Sequence, residues 1–250
     1  MTNGGRRIAT ATGAMLSDPA CLGNAPPGAV ESLFDPDFWR RRGELTEVQG
    51  GRGSAWFIAS GERQWVLRHF RRGGFIARVS LDHYVWTGES RVRAFGEWRL
   101  LDALTKRGLP VPKPVAARYV RTGLSYRCDL ITQRIVGAQP LSVLLTARPL
   151  PEAQWRAIGA VIARLHDAGV DHADLNAHNL LIDGAGGVSV IDFDRGRLRR
   201  SPGRWALGNL RRLRRSLDKI SRGLPADRWA APAWDWLMAG YGAERGGEAA

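Results

Sequence analysis

The stretch that most constrains this chain is Asp171-His172-Ala173-Asp174-Leu175-Asn176-Ala177-His178-Asn179-Leu180-Leu181-Ile182-Asp183, followed by Val190-Ile191-Asp192-Phe193-Asp194. Two apolar runs, residues 180–182 and 188–191, flank the turn Asp183-Gly184-Ala185-Gly186-Gly187. Runs this short on either side of a Gly-rich turn read as paired strands. That pairing carries Asn179 and Asp192 to the ends of neighbouring strands, with Asp174 on the loop before them. A carboxylate near an acceptor hydroxyl and hard oxygen ligands near phosphates are the minimum equipment of phosphoryl transfer, which asks a protein mainly for positioning and charge stabilisation. Each residue also has a plain structural use, because Asp and Asn bond their own loops and open tight turns. The joint pattern, with Asn179 five residues after Asp174 and Asp192 thirteen residues later still, favours the chemical reading. His172 reads as a histidine that bonds the loop backbone, and His178 has no evident role.

The chain ahead of this block is strand-like. Residues 48–58 read as strand, glycine turn and strand, with Gly50, Gly51 and Gly53 in the turn. Glycines let a backbone approach phosphate oxygens and present N–H groups to them, and a plain hairpin uses the same residues. Residues 64–70 form a further strand in which Val66, Arg68 and Phe70 share a face, aiming a permanent cation from Arg68 at the glycine-turn side. A helical period over residues 90–107 sets Glu97 among Val92, Phe95, Leu101 and Leu104. Glu97 has two candidate partners, Arg68 across the lobe and Arg93 one helical turn back. Pro110, Pro112 and Pro114 make an extended connector, and residues 115–121 and 126–133 a hairpin.

After the linker Ile135-Val136-Gly137-Ala138 the character turns helical. Residues 152–168 are amphipathic, with Pro151 suited to the first turn and Gly169 to the C-cap. Residues 205–221 carry Leu207, Leu210, Leu213, Leu217 and Ile220 as one stripe, read as a core face, and residues 229–241 form a last aromatic-rich helix. Residues 1–30 lack a sustained period and are expected to form a flexible tail. The expected organisation is therefore a tail over 1–30, an N-terminal lobe over 31–136 and a C-terminal lobe over 137–250.

Composition narrows the classes. With 250 residues, 44% of them hydrophobic, the chain can bury a sizeable core. Two cysteines make neither a disulfide framework nor a metal cluster, so a reducing compartment is expected. No apolar run approaches the roughly 20 residues of a membrane-spanning helix, which makes the expectation soluble or peripheral. The net charge of +13 comes almost wholly from arginine and suits anionic partners: nucleic acid, acidic lipid or phosphorylated substrates. Charge alone does not choose among them.

The run from His172 to Leu181, with Ile191-Asp192-Phe193-Asp194 and the earlier Val66-Leu67-Arg68-His69-Phe70-Arg71-Arg72-Gly73-Gly74, resembles the 3-deoxy-D-manno-octulosonic acid (Kdo) kinase family. That family is a branch of the protein-kinase-like superfamily, beside the lipopolysaccharide core heptose kinases. The resemblance covers about residues 45–240. It implies an α+β, bilobal protein-kinase-like fold: an N-terminal antiparallel five-strand lobe with one helix, then a mainly helical C-terminal lobe. It implies ATP-dependent, Mg²⁺-dependent phosphorylation of the 4-hydroxyl of a Kdo residue on lipid A precursor, at the cytoplasmic face of the inner membrane. Asp174 would then be the catalytic base, Asn179 and Asp192 the metal ligands, and Gly50, Gly51, Gly53, Arg68 and Glu97 the nucleotide-binding set. The partners expected are the Kdo-bearing acceptor and an anionic membrane surface, with neither nucleic acid nor a protein partner. Three departures from the protein-kinase pattern stand out: Arg68 for the strand lysine, Ala173 for the H-R-D arginine and Asp194 for the D-F-G glycine. With no A-P-E segment behind them, they point from a peptide acceptor toward a small or glycolipid one.

Overall fold

The computed structural model describes residues 5–22, 27–47, 55–71, 82–200, 203–229 and 231–246. The chain divides into two compact units, residues 1–103 with 112–134, and residues 104–111 with 135–250.

The first unit begins with the hairpin β1 (Arg6–Thr10) and β2 (Gly13–Ser17), then the short helices α1 (Pro19–Leu22), α2 (Pro27–Ser32) and α3 (Pro36–Arg41). Asp35 caps α3 by accepting the Asp37 N–H at 2.9 Å, and Pro36 fills its first turn. Strands β3 (Leu45–Glu47), β4 (Ala55–Ser60), β5 (Arg63–His69) and β6 (Tyr84–Val85) precede helix α4 (Arg93–Thr105), which is followed by β7 (Pro114–Thr122) and β8 (Ser125–Gln133). The strands form one antiparallel sheet in the order β1-β2-β7-β8-β5-β4-β3, with β6 added against β8. Alternation along β5 sends Trp65 and Leu67 into a core shared with Phe34 and Trp39, and leaves Arg68 for the opposite face.

Two expectations need correction here. The sheet has eight strands among the described residues, against five expected, and residues 6–17 are part of it, against a flexible tail. Residues 13–17 pair with Ala116–Val120 of β7, and Ala14 and Met15 are fully buried. Two five-residue strands cannot hold a hairpin alone, so their order depends on an edge about a hundred residues further along the chain. Gly13 is required at that edge, because a Cβ there would lie 2.1 Å from the Tyr119 carbonyl oxygen.

The second unit contains β9 (Gln139–Pro140), α5 (Leu141–Ala147), α6 (Glu152–Asp167), β10 (Val170–Asp171), β11 (Leu180–Ile182), β12 (Val188–Val190), β13 (Arg197–Leu198), α7 (Arg204–Ser221) and α8 (Ala231–Gly246). Strands β12-β11-β9 form one small sheet, and β10 pairs with β13. Helix α6 buries Trp155, Ile158, Ile162 and Leu165 at the expected three- and four-residue steps. It crosses α8 at backbone contact, where a Cβ on Gly159 would lie 1.9 Å from the Leu237 carbonyl and one on Gly240 2.1 Å from that of Arg156. In α7 the expected stripe is buried at Leu210, Leu213 and Leu217, while Leu207 is 54% exposed and lies outside it. Residues 104–111, expected within the first lobe, are bonded into this unit through Val190 N–H to Pro110 O at 2.9 Å and Arg164 to Gly108 O at 3.3 Å. No helix of the described residues is long and apolar enough to cross a membrane.

Candidate active site

The loop from Asp171 to Asn179 is tied down in part by its own side chains. His172 is buried; its Nε2–H donates to Ile191 O at 3.0 Å, and its Nδ1 accepts the Asp174 N–H at 3.2 Å. Both nitrogens are thereby used as a neutral imidazole uses them, and burial, the largest influence on the ring, holds its pKa below the ordinary histidine value. His172 thus bonds the loop backbone, as its place in the sequence suggests. Asn176 and Asn179 each donate a side-chain N–H to the carbonyl oxygen of Asp174, at 3.1 and 2.9 Å. Asn176 also accepts the His178 N–H at 2.8 Å, a local Asx turn. Both backbone polar groups of Asp174 are bonded while the residue itself is exposed. An exposed carboxylate on a fixed backbone can accept a proton from an incoming hydroxyl.

Asn179 directly precedes β11. Leu180 pairs with Val190, and the Ile191 N–H donates to Asn179 O at 3.0 Å, so Asp192 lies one step beyond the residue facing Asn179. Asp192 adopts φ 63°, a left-handed conformation that a non-glycine residue holds only under constraint from its surroundings. The next residue supplies that constraint: Phe193 is buried, its ring 4.7 Å from that of His172. The donor chemistry fits a hard divalent cation. With Nδ2 of Asn179 committed to Asp174, Oδ1 is its remaining ligand atom, and Asp192 adds a carboxylate.

Within the first unit, Arg68 of β5 is ion-paired with Glu97 of α4, one of the two partners the sequence offers it. The Glu97 side chain is 2% exposed and that of Arg68 24%. The guanidinium also packs 4.8 Å from the centroid of Phe70. Gly50, Gly51 and Gly53, expected to line the phosphates, lie outside the described residues.

Sequence reasoning missed the residues that hold the loop from outside. Asp171 accepts from Arg199 at 2.9 Å and from the Asn209 amide at 3.1 Å; Arg212 donates to His172 O at 3.5 Å; and Ser216 accepts the Ala177 N–H at 3.2 Å. Asn209, Arg212 and Ser216 lie three and four residues apart on α7. That helical spacing was a signal in the sequence, masked by the stronger leucine stripe beside it.

A sequence model of the lipopolysaccharide kinase (Kdo/WaaP) family matches residues 36–241. The chain is 47% identical over 210 residues to the 3-deoxy-D-manno-octulosonic acid kinases of Stenotrophomonas maltophilia (strain K279a) and Xanthomonas campestris pv. campestris (strain B100), covering 83% of this chain and 81% of each relative. It is 49% identical over 194 residues to the protein of the same name from Xanthomonas oryzae pv. oryzae (strain PXO99A), covering 77% of this chain and 76% of that one. The chain belongs to the lipopolysaccharide kinase (Kdo/WaaP) family and is a phosphotransferase acting on a sugar hydroxyl.

Proposed function

We propose that this protein is a Kdo kinase that transfers the γ-phosphoryl group of ATP to the 4-hydroxyl of a Kdo residue on lipid A precursor. The observation that carries the reading is the exposed Asp174 carboxylate on a loop fixed by His172, Asn176 and Asn179. The names of the relatives support Kdo as the acceptor sugar. We read the two units as the lobes of a protein-kinase-like fold, supported by the antiparallel sheet with α4 in one and the helices around the loop in the other.

In this reading Asp174 orients the acceptor hydroxyl and takes its proton as the new P–O bond forms. Arg68, held by Glu97, opposes phosphate charge with a cation that stays protonated at any working pH. Mg²⁺, when bound, would neutralise charge on the transferring phosphates, with Asn179 and Asp192 as its protein ligands. Ala173 and Asp194 remove features of a peptide-directed kinase, which favours a sugar acceptor. The protein works as a peripheral protein at the cytoplasmic face of the inner membrane, where arginines such as Arg197, Arg204, Arg211 and Arg215, all exposed, meet anionic lipid.

Purified protein incubated with labelled Mg-ATP and, in turn, Kdo-bearing lipid A precursor, heptosylated core and a generic protein substrate tests the acceptor. Label is expected on the Kdo-bearing lipid; label on the heptosylated core alone overturns the reading. Co-sedimentation with anionic liposomes, lost at high salt, is the expected result for the membrane; binding to neutral and anionic vesicles alike would refute it.

A further inference from the structure

Helix α7 has an apolar edge, Leu210, Leu213 and Leu217, that serves the core. One residue round from it, Asn209, Arg212 and Ser216 form a polar edge, each member of which contacts the segment bearing Asp174. Asn209, itself buried, donates Nδ2 to Asp171 Oδ1 at 3.1 Å and to Trp205 O at 2.8 Å, so its amide is anchored to its own helix while it grips the start of the loop. Arg212 reaches the carbonyl of His172 at 3.5 Å, and Ser216 accepts the N–H of Ala177 at 3.2 Å. The grips fall at Asp171, His172 and Ala177, bracketing Asp174 on both sides along the chain. A second brace meets the far end, where the Ser142 N–H of α5 donates to Ala177 O at 3.1 Å. Ala177 therefore has both backbone polar groups held from outside the loop.

We propose that Asn209, Arg212 and Ser216 are positioning residues of the phosphoryl-transfer site: α7 sets the path of the backbone from Asp171 to Ala177 and thereby where the Asp174 carboxylate stands. The inference rests on Asp174 being the group that meets the acceptor. A side chain near the chemistry that only filled the core would change stability; one that places a reacting group changes turnover, because displacements of about 1 Å can cost on the order of 10²-fold in rate. The contact from Ser216 is the most direct probe, since removing one hydroxyl takes away the acceptor for Ala177 N–H and little apolar surface.

The test uses the full-length protein with the Kdo-bearing acceptor and Mg-ATP. Ser216→Ala is expected to lower kcat about tenfold or more with KM for ATP held within about twofold, and Ser216→Thr, which keeps the hydroxyl, to restore it. Hydrogen exchange read by mass spectrometry should quicken over residues 171–179 and stay unchanged in α6. In an Asp174→Asn background, Ser216→Ala should add no further loss, because both act on one group. Asn209→Ala carries the same readouts if Ser216→Ala does not fold. Unchanged kcat and unchanged exchange in these variants overturn the proposal, as does a full additional loss on top of Asp174→Asn. Full activity in Asp174→Asn would instead refute Asp174 as the base, with the exchange over 171–179 still deciding whether α7 holds the loop.

Discussion

Asn179 donates its side-chain amide to the carbonyl oxygen of Asp174 across 2.9 Å, so the residue proposed as a metal ligand through its oxygen is also one that ties the loop at the carboxylate-bearing residue. The two roles use different atoms and can be separated. Asn179→Asp keeps an oxygen ligand but deletes the donor, and should lower kcat without raising the Mg²⁺ concentration for half-maximal rate. Asn179→Ala removes both and should raise that concentration as well. Titration of activity with Mg²⁺ distinguishes them, and identical behaviour of the two variants would mean that the oxygen binds no metal.

Asp174→Asn should reduce kcat by at least about 10²-fold, the scale on which a positioned base contributes. The carboxylate is exposed, so the melting temperature should stay that of the parent chain. A variant that melts normally and turns over normally rules out the base role.

The ion pair of Arg68 with Glu97 has one partner almost wholly buried. Removing the guanidinium in Arg68→Ala leaves a carboxylate in a poorly solvated place, a situation that costs about 3–5 kcal/mol in buried pairs. Denaturant unfolding should show that loss, and Glu97→Gln added to Arg68→Ala should recover part of it. Equal stability of parent and Arg68→Ala would mean the pair is solvated.

His166 is buried in the second unit, its Nδ1 2.9 Å from the Tyr241 hydroxyl and its ring edge-on to Trp205. Burial first, and then the charge of Arg245, pull its pKa from 6.5 to about 4. The unfolded chain takes up this proton at the ordinary value while the folded chain refuses it until about 4. The stabilisation is therefore complete above the ordinary value and is lost as pH falls toward the folded one, by up to about 3 kcal/mol. His166→Gln should flatten the fall in denaturant midpoint between about pH 7 and about pH 5. The same slope in parent and variant would assign the acid sensitivity elsewhere.

Helices α6 and α8 approach at backbone contact through Gly159 and Gly240. Neither glycine needs an unusual φ; each is required for space. Gly159→Ala should destabilise by about 1–3 kcal/mol or more despite its better helix propensity, because the Leu237 carbonyl must move. Thermal melting checks this, and a higher melting temperature would show that the crossing relaxes.

Much of the site was legible in the sequence because its parts are close along the chain. Asp174, His172 and Asn179 fall within eight residues, and the turn between residues 182 and 188 returns the strand to Asp192; local geometry leaves few other arrangements. Helices α4, α6 and α7 were readable for a similar reason, since the 3.6-residue period records burial on one side.

What the sequence by itself determined was which residues meet on the loop and the strands and helices directly before and after it. The tertiary structure alone decided three things. Residues 6–17 become strands because β7 supplies their edge, and five residues of weak alternation cannot announce a partner so far away. Glu97 reaches Arg68 across 29 positions of chain, because burial of the α4 face puts the carboxylate against β5. Asn209, Arg212 and Ser216 take on the loop because α7 is rotated to bury Leu210, Leu213 and Leu217, which turns the adjacent polar edge toward Asp171 and Ala177. In each case the deciding contact joins residues far apart along the chain, and only the packing of elements brings them within reach.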